Sequence, residues 1–148
     1  MMSTIQHRVS LYAQPTDMSC WSAAVSMLLE NQCVGAGKAV LNDKGGLGAE
    51  EKNIQLFAKS YGLRLYFPQT WTVEGLVMLL ERGPVAMLGA MPNLHTIVIG
   101  GIKGNGTPEG TELTIYDPWP PKIGRISLVN YEQLMKQFPF STIYMLQK

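Results

Sequence analysis

The chain has 148 residues, with 12 Lys and Arg against 11 Asp and Glu, a formal charge of +1, 46% apolar residues and 16% charged ones. A chain of that length buries one continuous core, so residues 1–148 are expected to form a single domain, and the composition argues against a disordered tail or a coiled coil. Near-neutral charge without a basic stripe argues against nucleic acid or an anionic membrane as partner and leaves recognition to shape.

Met1 to Ser10 carry no apolar core of a signal peptide, and the longer apolar stretches are broken by Gly, Pro or charge well short of a membrane span. This predicts no signal peptide, no membrane segment and a cytoplasmic location in the producing cell. The first helix opens at Cys20. Trp21, Ala24, Val25, Leu28 and Leu29 fall at helical spacing, Ala23 and Met27 widen the stripe, and Pro15, Thr16, Asp17 and Ser19 supply turn geometry and capping oxygens before it. Gly35 to Gly48 is rich in small residues and reads as an irregular loop. A second helix is predicted from about Ala49 to Tyr61, with Ile54, Phe57, Ala58 and Tyr61 inward and Gly62 closing it; a third is capped by Thr72, packs Leu76, Leu79 and Leu80, and stops at Gly83-Pro84. Val85 to Leu88, Thr96 to Ile99, Glu112 to Tyr116, Ile123 to Val129 and Ile143 to Leu146 read as strands, with Gly104 to Gly110 as a hairpin loop and a short helix at Tyr131 to Gln137. Helices first and antiparallel strands second describe an α+β domain, N-terminal helices packed on a C-terminal antiparallel sheet, with a site between the halves.

The chemistry centres on few residues. Cys20 and Cys33 form no disulfide framework, and with only His7 and His95 and no CxxC or HExxH spacing, neither a metal nor a cofactor is expected. Cys20 lies at the first turn of a buried helix, where unpaired amides and the helix dipole favour a thiolate. Such a nucleophile needs a proton acceptor that later protonates the leaving amine, and His95, at the start of a strand Leu94 to Gly100, is the better candidate. His7 sits beside Arg8 in a polar segment expected neither to bury nor to orient an imidazole. Asp117 ends the neighbouring strand and can fix the imidazole across the hairpin, although an Asp before Pro118 also serves simply to form a turn. Gln14, six positions before Cys20, can aim an amide at the same carbonyl oxygen as the Cys20 backbone N–H, giving a two-donor oxyanion hole.

These segments resemble the papain-like cysteine proteases. Gln14-Pro-Thr-Asp-Met-Ser-Cys20-Trp21-Ser-Ala-Ala24 is similar to their Gln, then Cys-Trp signature with the same spacing; Leu94-His95-Thr-Ile-Val-Ile-Gly100-Gly101 resembles the catalytic His strand; and Tyr116-Asp117-Pro118-Trp119 resembles the Asp-Pro element of small bacterial effectors, including avirulence proteases injected into plant cells, and of double-glycine leader peptidases. The resemblance implies a triad of Cys20, His95 and Asp117 with Gln14 at the oxyanion, and a protein substrate. It also implies an effector or interbacterial toxin carried into a target cell by a specialised secretion system, with an immunity or inhibitor protein over the cleft. Papain itself has Asn where this chain has Asp117, and its long insertions, pro-segment and disulfides have no counterpart here. The rivals are a leader peptidase, usually fused to a transporter; an amidase, which usually opens Asp-Cys-Ser-Gly rather than Ser19-Cys20-Trp21; a deamidase or transglutaminase using the same thiolate; and a non-catalytic pseudo-protease binding module, against which the four polar residues argue. Trp21 and Trp119 read as packing residues, Trp119 also as a wall over the His95 and Asp117 pair. Cys33 reads as inert, and Met27, Met78 and Met87 as core filler.

Overall fold

The structure, a computed structural model, describes residues 3–30, 34–89, 95–137 and 143–148. Cys33 and Leu94 lie outside them. The elements in chain order are β1 (Ser3–Gln6), α1 (Cys20–Leu29), α2 (Glu51–Ser60), β2 (Arg64–Tyr66), α3 (Val73–Leu80), β3 (Val85–Gly89), β4 (His95–Gly104), β5 (Thr111–Asp117), β6 (Arg125–Asn130), α4 (Tyr131–Gln137) and β7 (Ile143–Gln147). The fold is α+β as expected, with β1 and β2 added to the strands the pattern announced.

Each helix forms for a readable reason. In α1 every residue from Cys20 to Leu28 except Ser22 is buried, so the helix is covered on most of its circumference. Ser19 precedes it without donating or accepting a capping bond through its side chain; its hydroxyl instead turns back onto Thr16, bonding the Thr16 N–H, hydroxyl and carbonyl. In α2 Ile54, Phe57 and Ala58 face inward as the spacing predicts. Tyr61, just past the helix, is half-buried, and Gly62 follows at φ +64°. Burying a side chain such as Phe57 is worth about 1.5–3 kcal/mol. Thr72 caps α3 by accepting from the Gly75 N–H at 3.0 Å. Met78 departs from its expected core role: it points outward from α3 and is 69% exposed, whereas Met27 and Met87 are buried.

All strand pairs are antiparallel, in the order β2-β7-β3-β4-β5-β6, and β1 pairs with the far half of β4. Alternation along the strands sorts the core onto two faces. Even-numbered residues such as Ala86, Val98 and Tyr116 pack with Trp21, Val25 and Phe57 of α1 and α2, and odd-numbered ones such as Met87, Ile97, Ile99 and Ile115 pack with Leu76, Leu80 and Leu134 of α3 and α4. Strand β4 carries the pattern past its glycines by a bulge between Ile99 and Gly101. Only glycine fits at position 100, because a Cβ there would lie 2.5 Å from the Tyr116 ring. Among the described residues no helix is long and apolar enough to cross a membrane.

Candidate active site

Cys20 opens α1 and is 5% exposed. The helix beneath it is pinned by side chains. The Trp21 indole N–H donates to the Gly45 carbonyl at 3.0 Å and its ring meets Phe57 edge-on, while the Ser22 hydroxyl donates to the Val34 carbonyl at 2.6 Å. A nucleophile on a rigid helix is held to the geometry its partner requires.

His95 and Asp117 meet by register. Strands β4 and β5 pair Val98 with Tyr116 and Ile99 with Ile115, which places Asp117 one diagonal step from His95 on the same face, a separation that side chains of this length bridge. The imidazole Nε2 lies 3.0 Å from Asp117 Oδ1. That same oxygen accepts from the Trp119 N–H at 2.9 Å. Asp117 therefore forms the turn and orients the histidine at once. With Nε2 committed to the carboxylate, Nδ1 is the ring nitrogen left for the sulfur, and the Cys20 side chain does hydrogen-bond the ring. Burial disfavours the charged imidazolium, yet the hydrogen bonds to Asp117 and Cys20 and their negative charges outweigh it and push His95 from 6.5 up to about 9.

Gln14 is fully buried. Its backbone is stitched to the turn after Asp117, accepting from the Lys122 N–H at 2.8 Å and donating to the Pro118 carbonyl at 3.0 Å. Its side-chain N–H groups donate to the Thr16 and Asp17 carbonyls at 2.7 and 2.9 Å, and among the described residues its buried Oε1 has no hydrogen-bond partner. The amide orientation follows from the network, since an oxygen in place of Nε2 would face two carbonyls. Both amide hydrogens thus serve the turn ahead of Cys20, and service to a substrate oxygen needs one of them released.

Cys20, His95 and Asp117 are brought together, with Gln14 joining the loops that carry them. His7 stays apart. Contrary to expectation it is oriented and half-buried: its Nε2 donates to the Leu80 carbonyl at the end of α3 and its backbone N–H to the Gly100 carbonyl. Trp119, expected as a wall, is 41% exposed and contributes its backbone N–H to Asp117. Position Arg125 escaped the sequence reading; it is the direct cross-strand partner of Asp117, a neighbour that the Pro118 to Gly124 connection would have announced had it been read as a hairpin.

Residues 3–136 match the family model of the papain-like cysteine protease AvrRpt2. No curated protein and no solved structure matches the chain significantly. The family match spans most of the chain, including the Cys20, His95 and Asp117 positions, and the chain belongs to the papain-like cysteine protease AvrRpt2 family.

Proposed function

We propose that residues 1–148 act as one protease domain in which Cys20 is the nucleophile, His95 the general base and acid, Asp117 the residue that orients and charges the imidazole, and Gln14 a donor to the oxyanion. The observation that carries this reading is the imidazole held between a carboxylate on Nε2 and the Cys20 side chain. An imidazole raised to about 9 is protonated at neutral pH, so it holds the proton needed by the leaving group. The thiolate attacks the substrate carbonyl carbon; the tetrahedral oxyanion collapses as His95 gives its proton to the departing amine; water, deprotonated by the now neutral imidazole, then attacks the thioester, and breakage of its C–S bond releases the carboxylic acid and restores the thiolate beside protonated His95. Gln14 gives up one bond to Thr16 or Asp17 when the oxyanion forms.

The resemblance to injected avirulence proteases supports the role of an effector or toxin delivered into a target cell, held in check in the producer by an inhibitor protein over the cleft. N-terminal proteomics of a susceptible cell exposed to wild type or Cys20→Ala tests the reading. New N-termini dependent on Cys20 are expected. A one-dalton change at glutamine side chains without new termini would instead assign a deamidase.

A further inference from the structure

Beside the candidate triad lies a groove that the catalytic steps above do not use. Its volume is about 270 Å³ and its walls include His95, Asp117, Arg125, Ser127, Leu134 and Gln137. The register explains the grouping: Asp117 pairs with Arg125 and Ile115 with Ser127, so the odd-numbered residues of β4, β5 and β6 share one face beneath α4. Pockets for whole small molecules run to about 300–1,000 Å³, so a groove of this size suits one or two side chains of a passing peptide.

Three observations identify its occupant. First, the groove shares His95 and Asp117 with the candidate site while lying on the α4 face of the sheet, across from α1, so a segment departing past the His95 imidazole that must protonate it can run into the groove. Second, the groove has one uncompensated charge. Protonated His95 and ionised Asp117 offset each other, and on α4 Glu132 and Lys136 pair at 3.5 Å. Arg125 is exposed and, among the described residues, has no carboxylate within 4.0 Å, although Asp117 is its strand partner; nor does it number among the charges acting on His95. Third, Ser127 and Gln137 add hydrogen-bonding side chains to the same walls.

We propose that this groove is a specificity site for the segment C-terminal to the cut, and that Arg125 selects an Asp or Glu within the first few residues of that segment. A guanidinium binds a carboxylate through two parallel N–H bonds, a geometry that fits Asp or Glu and rejects Lys or Arg. The inference rests on the protease reading and adds to it the acidic character of the substrate. Because the contact is at the rim, it binds the ground state and the transition state alike, so its effect falls on KM.

The test is digestion of a proteome-derived peptide library by wild type, Arg125→Gln and Arg125→Glu, with cut sites read by mass spectrometry and Cys20 alkylation by iodoacetamide measured in each. Wild type is expected to enrich Asp and Glu just after the cut. Arg125→Gln is expected to lose that enrichment through a roughly tenfold rise in KM for acidic peptides with kcat held within about twofold, and Arg125→Glu to replace it with Lys and Arg. Identical cut profiles in all three proteins, with normal Cys20 alkylation, would overturn this inference alone and leave Arg125 as an exposed residue of β6 without a part in recognition. No cutting by wild type would overturn the protease reading and this inference with it.

Discussion

Two histidines lie along β4, each held by its Nε2, and the two are used differently. At the first residue of the strand His95 meets a carboxylate and the Cys20 side chain; at the bulge, five residues or roughly 17 Å further on, His7 is tied through its backbone to Gly100 and through its ring to the carbonyl of Leu80. The Leu80 carbonyl is one of those a helix leaves without an internal partner, so His7 completes the end of α3 and straps β1 over it. A neutral acceptor fixes a ring in place without calling for its charge. A carboxylate and a thiol do both, and the difference between a strap and a candidate acid-base group lies in the partner rather than in the imidazole.

The sharpest way to break that comparison is to remove each histidine in turn. His95→Ala, like Cys20→Ala, is expected to lower kcat/KM by about 10⁴-fold or more, measured on a peptide that wild type cleaves. Asp117→Ala removes both the acceptor for His95 and the bond to the Trp119 N–H, and a loss of about 10³-fold in kcat is expected. Gln14→Ala is expected to lower kcat by about 10²-fold if one amide hydrogen reaches the oxyanion. A fall in melting temperature with kcat unchanged would reassign Gln14 to holding the Thr16–Asp17 turn.

A smaller effect separates charge from geometry. Asp117→Asn keeps an oxygen for both bonds and deletes only the charge, so a drop of about tenfold is expected, with the alkaline limb of the kcat/KM profile moving down from near pH 9. The same linkage acts on stability. Because the folded value lies above 6.5, protonated His95 stabilises the fold fully below pH 6.5 and the contribution is lost as pH rises through about 9. Discounted for a side chain 30% exposed, it is on the order of 1–2 kcal/mol, read as the pH dependence of the melting temperature against His95→Ala. The smallest catalytic effect belongs to the histidine at the bulge: His7→Ala is expected to leave kcat/KM within about twofold and to cost about 1 kcal/mol of stability, the worth of one hydrogen bond.

How legible all this was in the sequence depended on where the partners lie. Helices α1, α2 and α3 declared themselves through local spacing and local punctuation, Thr72 before α3 and Gly62 after α2 being read from neighbours alone. Strands β1 and β2 did not, because Ser-Thr-Ile-Gln offers one apolar residue and Arg-Leu-Tyr is too short to alternate; both are strands only by pairing with β4 and β7, far along the chain. The sequence pattern places β4 at Thr96 to Ile99, or at Leu94 to Gly100 around His95, whereas the strand runs on to Gly104. Here Gly100 makes the bulge that lets β1 and β5 extend it on either side. In the candidate site, Cys20, His95 and Asp117 can be nominated from the sequence because each chemistry admits few residue types, and the structure brings the three together. The orientation of the Gln14 amide was not, since it depends on the Thr16 and Asp17 carbonyls that the turn happens to present.

The position of β7 carries a consequence for when the candidate site can be assembled. This strand comes from the last stretch of the chain yet fills the slot between β2 and β3, and Gln147 secures it by donating to the carbonyls of Leu79 and Gly83. A growing polypeptide has produced its sulfur and its imidazole long before that slot can be filled. The sheet that presents His95 is complete only once residues up to 147 are available to pair with β2 and β3.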